Sequence, residues 1–181
     1  KGRYIPRQGR NPIEAETVAD MVLEHMRTRP NNESLGVVAM SRAQQDAIQT
    51  VIDNRRLKER DLDTRFDVDL EEPFFVKNLE TVQGDERDRM IMCVGYGPTE
   101  GSGAVPPNRF GPINGENGSR RINVAITRAR MRLDVVHSLK ASDIRSERGG
   151  GLILKRFLEY IQNPSQYFEA QVSAYAAGEP E

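Results

Sequence analysis

The sequence predicts a three-layer α/β domain around a mostly parallel sheet, and three observations carry that prediction. Apolar runs of strand length recur, at Ser34 to Met40 and Met90 to Tyr96 among others, with stretches of helical periodicity between them. Those runs are apolar almost throughout, as in strands covered on both faces. No hairpin signal joins neighbouring strands, so each reaches the next through a crossover.

Lys1 to Arg10 is basic, carries Pro6 and two glycines, and reads as an extended connector. Asn11-Pro12-Ile13-Glu14 then opens a helix, with an Asn cap, proline at the first helical position and glutamate three residues after the cap. Ile13, Val18, Met21, Val22 and Met26 are its expected buried face, and Arg29-Pro30-Asn31-Asn32 its end. Ser34 to Met40 is the first strand. Ser41 with Gln44 reads as a second capping box, opening a helix that turns Ala47, Ile48, Val51 and Ile52 inward. That helix dissolves into the alternating charges of Arg55 to Asp63, and the acidic residues from Glu59 to Glu72 read as a solvated run.

Phe74-Phe75-Val76 starts the next strand, and Met90 to Tyr96 forms another. Pro98 to Gly118 is rich in Gly, Pro and Asn and reads as a long loop, of a length that is usually functional or mobile. Arg120 to Arg132 is expected to be a helix and Leu133 to His137 a strand. Ser142 to Gly151 is a polar link, and Leu152 to Ile161 a helix with Leu154, Phe157, Leu158 and Ile161 on one side. Residues 1–164 are thus expected to be one domain. Residues 165–181 form a tail or a junction to a following domain, with a short helix between Ser165 and Ala177.

Length and charge bound the function. At 181 residues the chain suits one domain with a sizeable core, and its start at Lys1 reads as a piece of something longer. Net charge is −1, so any nucleic-acid-binding surface must be local. A single cysteine, Cys93, excludes an internal disulfide and a cysteine-rich zinc site, and reads as a small buried hydrophobe. Met90 and Met92 read as core, and His25 and His137 as packing or surface residues. No apolar run reaches transmembrane length and no signal peptide opens the chain, so a cytoplasmic location is expected.

Two segments carry chemistry. On the expected arginine helix Ile122, Ala125, Ile126 and Ala129 form one buried stripe, and Arg121, Arg128 and Arg132 share a stripe beside it. Fixed guanidinium forks at a cleft suit phosphate oxygens. A solvated basic face fits the same pattern, and this segment alone leaves both open. Between two strands lies Lys77-Asn78-Leu79-Glu80-Thr81-Val82-Gln83-Gly84-Asp85-Glu86-Arg87-Asp88, whose start falls at a strand's carboxyl end, where parallel sheets place ligands. Gly84 allows close backbone approach, and Gln83 and Glu86 offer an amide and a carboxylate within one turn.

Together these segments resemble a known family. Gln83-Gly84-Asp85-Glu86 before an apolar strand is similar to motif V of superfamily 1 helicases, and Arg120 to Arg130 before a strand is similar to motif VI. Leu35 to Gln44 resembles the region of motif IV, and Asn11-Pro12-Ile13-Glu14-Ala15 the Asn-x-x-Glu-Ala that opens the domain. The matches follow the family's order from Asn11 to about His137, with the closest likeness to the branch of the Dna2 and nonsense-mediated-decay helicases and to large bacterial helicase-like proteins.

The resemblance implies the second, C-terminal RecA-like domain (P-loop NTPase type) of a two-domain motor. ATP would bind in the cleft shared with an N-terminal RecA-like domain of the parent chain, which holds the phosphate loop and most of the Mg2+ ligands. Neither is found in this sequence. By position Arg128 matches the catalytic arginine finger, Gly84 and Glu86 match groups near the nucleotide, and Gln83 couples nucleotide to nucleic acid. Arg121 joins them on the nucleotide side. Pro12 stands where relatives have a second γ-phosphate arginine, a loss that Arg10 or Arg42 can replace. Asn78 stands where relatives often have Thr, and with Lys77 and Thr81 it is expected to meet single-stranded nucleic acid, DNA by preference. The alternative is a non-catalytic RecA-like module that binds nucleic acid or protein.

Overall fold

A computed structural model describes residues 3–29, 33–67, 69–99, 110–115, 117–167 and 169. Helix α1 (Pro12–Thr28) leads to strand β1 (Leu35–Ala39), helix α2 (Arg42–Arg56), a 3-10 helix (Arg60–Phe66), β2 (Phe75–Asn78) and β3 (Arg87–Cys93). A short 3-10 turn (Gly111–Asn114), α3 (Gly118–Ile126), β4 (Ala129–Val136), a second turn (Ala141–Asp143) and α4 (Gly149–Gln162) follow. The four strands form one sheet in the order β2-β1-β3-β4, and every pairing is parallel.

Strand periodicity divides the core into two layers. Val37, Ala39, Ile91 and Cys93 face α1 and α2 and pack with Ala15, Val18, Val22, Ile48 and Ile52. Val38, Met40, Met90 and Met92 face the other way, against Ile122 and Ala125 of α3 and Leu154 and Leu158 of α4. Helices cover both faces, which is the three-layer architecture expected. Gly36 on β1 is forced by crowding, since a Cβ there would stand 2.6 Å from the Phe75 ring and 2.7 Å from Met90 Sδ.

Both N-terminal helices start as their caps predict. Asn11 Oδ1 accepts the Glu14 N–H, and Ser41 Oγ accepts the Gln44 N–H. The second capping box is only half formed, because the Gln44 amide turns away from Ser41 to bond Asn11. Ile13, expected inward, is exposed.

The largest departure is the arginine helix, which ends at Ile126, so Arg121, Arg128 and Arg132 do not share a helical stripe. The Thr127 hydroxyl donates to the Asn123 and Val124 carbonyls and so competes for the helix's last acceptors. From Ala129 the chain pairs with Arg87 and Arg89 of β3, which itself starts before Met90. Two arginines were unexpected in a strand this buried, but each is satisfied. Arg87 donates to the Pro73 and Glu86 carbonyls, and Arg89 to Asp134. The charge run is also less solvated than expected: Leu62 and Phe66 are buried, and Glu72 pairs with Arg130. Helix α4 starts at Gly149, ahead of Leu152. Residues 100–109 and 116 of the expected loop, and most of the tail, 170–181, lie outside the described residues.

Candidate functional site

The segment after β2 leaves the carboxyl end of the sheet and crosses its α3 face to reach the amino end of β3. Leu79 and Val82 anchor it to the core. Asn78 shapes its first turn: buried, it takes the Glu80 N–H on Oδ1 at 2.8 Å and donates Nδ2 to Gln45 at 2.7 Å. Its backbone N–H is held by Thr81 Oγ1. Lys77 is drawn to Asp85 at 2.6 Å and lies over the Phe75 ring. Gly84 then takes φ +92, a left-handed conformation, with no atom within 4 Å of where a Cβ would stand. Gly84 is therefore required by backbone geometry and leaves open space beside it.

Helix α3 lies alongside, and the two segments enclose a cleft of about 370 Å³ lined by Glu80, Gln83, Asn117, Arg120, Arg121 and Val124. Arg121 Nη1 stands 3.4 Å from Glu80 Oε1 and donates to the Pro112 carbonyl. At the far end of α3, Arg128 Nη1 stands 3.2 Å from Glu86 Oε1. Arg128 Nε also donates to the Val124 carbonyl at 3.0 Å, so the side chain folds back over the helix terminus as a cap. Two segments some forty residues apart in sequence thus bring Gln83 to Arg121 in the cleft and Glu86 to Arg128 at the end of α3.

The Arg128–Glu86 end of this face lies at the amino edge of the sheet, since the Arg87 N–H beside Glu86 donates to the Arg128 carbonyl. Arg10 lies at the opposite edge, next to Asn11, whose amide donates to Ser138 just beyond β4. Eight strand residues separate those edges, about 26 Å at the usual rise, so Arg10 and Arg128 cannot hold one phosphate together in this arrangement. Of the two replacement candidates, Arg42 is paired with Asp46, whereas Arg10 reaches only the Gln8 amide oxygen among the described residues.

Sequence reasoning missed a buried polar cluster at that carboxyl edge. Glu14 accepts from the Asn11 amide, from the Gly95 N–H at 2.7 Å and from Cys93 Sγ. Gln44 clamps both the N–H and the carbonyl of Asn11. Burial pushes the Glu14 carboxyl up to about 6, against opposing hydrogen bonds from Ser138 and Gly95. The available signal was helical spacing, which places Glu14 in line with Val18, Val22 and His25 on the buried face of α1. The cluster ties the start of α1 to the ends of β3 and β4.

The cleft's donors, Gln83, Arg120 and Arg121, with the open space at Gly84, suit an anionic ligand. Among the described residues no group of three His, Cys, Asp or Glu side chains is placed to hold a metal. No helix among them is long and apolar enough to cross a membrane.

An all-parallel, three-layer sheet with an arginine-rich helix facing a glycine-containing loop is the arrangement of a RecA-like α/β domain. The chain belongs to the AAA domain family, whose model matches residues 3–140. It is 35% identical over 159 residues to a protein described as an uncharacterized ATP-dependent helicase of Mycoplasma genitalium, covering 87% of this chain and 14% of that protein. A homologue of that helicase from Mycoplasma pneumoniae is 35% identical over 163 residues, with the same coverage. The chain therefore spans 14% of the length of these curated relatives. A solved C-terminal domain of a possible DNA helicase from Lactobacillus plantarum WCFS1 matches at TM-score 0.41 and 15% identity, over 69% of this chain and 66% of that one.

Proposed function

We propose that the chain is the second, C-terminal RecA-like motor domain of an ATP-dependent superfamily 1 helicase or translocase. ATP is then shared with an N-terminal RecA-like domain of the same parent chain, which contributes the phosphate loop and most of the Mg2+ ligands. Single-stranded nucleic acid, DNA by preference, is the track, and the cytoplasm the location. The meeting of Gln83 with Arg121 in one cleft, and of Glu86 with Arg128 at the end of α3, supports this reading most.

ATP, when bound, supplies the scissile phosphoanhydride; the work of this chain is to place charge against it. Arg128 exchanges Glu86 for the transferring phosphoryl group, where a permanently charged planar fork stabilises developing charge, typically worth about 10³–10⁵ in rate. The core contacts of Ile122 and Ala125 fix the helix whose C-terminal end it caps. Arg121 holds further phosphate charge, and Glu86, once freed, faces the nucleotide with Gly84. Gln83 links that site to the strand. Lys77, Asn78 and Thr81, at the carboxyl end of β2, form the nucleic-acid side. Lys77 would leave Asp85 to do so, and Asn78 acts by shaping the turn. Arg10 would act only at the opposite edge.

A second reading, a RecA-like binding module without hydrolysis, is favoured by one observation: Arg128 already caps α3 and pairs with Glu86. Magnesium-dependent ATPase assays separate the two. The motor reading expects strand-stimulated turnover by the full-length parent protein and none by the 181-residue chain alone. A parent protein without turnover supports the binding module, and turnover by the chain alone overturns the shared site.

A further inference from the structure

The cations around the cleft are almost all neutralised within the chain. Lys77 is met by Asp85, Arg121 by Glu80, Arg128 by Glu86, and Arg130 by Glu72 and Asp88. Arg120 differs. It is exposed in the first turn of α3, lines the cleft, and has no hydrogen-bond or ion-pair partner among the described residues. The side-chain amides of Gln83 and Asn117, which line the same cleft, are likewise unengaged among the described residues. Two arginines against the single carboxylate of Glu80 leave one positive charge with no counter-ion among the described residues.

A lone arginine on a convex surface is ordinarily just solvated. Here the guanidinium shares a concave wall with two amides that can donate to neighbouring oxygens of the same ligand. Its fork matches the tetrahedral oxygens of a phosphate better than a point charge would. We infer that Arg120, Gln83 and Asn117 form a phosphate-binding subsite of the cleft, separate from the Arg128–Glu86 end. The ligand group is a phosphate oxygen, from a nucleotide or from the backbone of a single strand. This deepens the proposed reading of the cleft, but it concerns binding by this chain and requires no turnover.

The test uses the 181-residue chain with two probes: a labelled short oligothymidylate followed by fluorescence anisotropy, and inorganic pyrophosphate followed by calorimetry. Arg120→Ala is expected to weaken at least one probe about tenfold, the equivalent of one charged hydrogen bond lost. If the oligothymidylate is affected, its salt slope also becomes shallower by about 0.7, one phosphate contact fewer. Loss for the oligothymidylate alone assigns the subsite to the strand, and loss for pyrophosphate alone to the nucleotide. Glu80→Gln removes the opposing charge while keeping the backbone N–H that binds Asn78, and is expected to tighten the affected probe. A gain of affinity cannot come from unfolding. Wild-type affinity for both probes in Arg120→Ala, or no tightening in Glu80→Gln, overturns the subsite. Either result leaves the Arg128 reading standing, because that reading is decided by turnover in the parent protein.

Discussion

Arg128 Nη1 lies 3.2 Å from Glu86 Oε1, an ion pair that joins the end of the glycine-containing loop to the end of α3. The Arg128 side chain is mostly covered, while Glu86 is about half exposed, so the pair sits where a ligand can reach one partner. Its stability is modest because water screens the carboxylate. Arg128 is thus held in place by a partner that is cheap to displace.

That geometry predicts unequal costs for the two partners. Glu86→Gln removes only a screened ion pair and is expected to cost less than about 1 kcal/mol. Arg128→Ala also loses the bond to the Val124 carbonyl, for a total of about 1–2 kcal/mol. Urea unfolding of the 181-residue chain measures both.

Two glycines are expected to fail for different reasons. Gly84→Ala meets no neighbour, so its cost is the strain of a left-handed backbone, about 1–2 kcal/mol. Gly36→Ala drives a methyl into Phe75 and Met90, and overpacking of this kind costs about 1–3 kcal/mol or more. Loss should follow the local backbone in the first case and the buried core in the second, as hydrogen exchange across β1, β2 and β3 would register.

Glu14 is expected to give the chain a measurable pH dependence. Its folded value of about 6 lies above the ordinary 4.5, so the folded state binds the extra proton. The associated stability is fully present below about 4.5 and is lost as pH rises through about 6, a change on the order of 2 kcal/mol. Glu14→Gln should flatten that part of the stability profile. Subtracting the variant's denaturation curves from wild type across this window isolates the residue, and parallel profiles would contradict the assignment.

Arg130 should behave as a structural residue. It bonds Glu72, Asp88 and Ser34 at the amino edge, so Arg130→Ala is expected to lower stability modestly. The loss should shrink in high salt, where such pairs are screened. Thermal melts at two ionic strengths check it.

The fold was legible where local chemistry and burial agree. Asn11 and Ser41 cap real helices, and the apolar runs around Val37 and Ile91 are central strands. The arginine helix was drawn too long because Ile122, Ala125, Ile126 and Ala129 satisfy helical spacing. The same residues from Ala129 onward also satisfy a strand whose charges are matched by Asp88, Glu72 and Asp134. Asp88 and Glu72 are distant in sequence from Arg130, so no local pattern displays those pairs. For the same reason the site's segments were legible, but the pairings Glu80–Arg121 and Glu86–Arg128 were not.

The central claim is that Arg128 acts on phosphate, and steady-state ATPase kinetics on the full-length parent protein test it most directly. The matched control is Arg132→Ala, an exposed arginine on β4 whose partner is Asp134. Arg128→Ala is expected to lower kcat by about a hundredfold or more while changing the KM for ATP far less, because the lost interaction is made chiefly in the transition state. Arg128→Lys should not restore the rate, since an ammonium lacks the planar fork. Arg132→Ala should turn over nearly as wild type. Wild-type kcat in Arg128→Ala would contradict the account and leave Arg128 as a helix cap paired with Glu86.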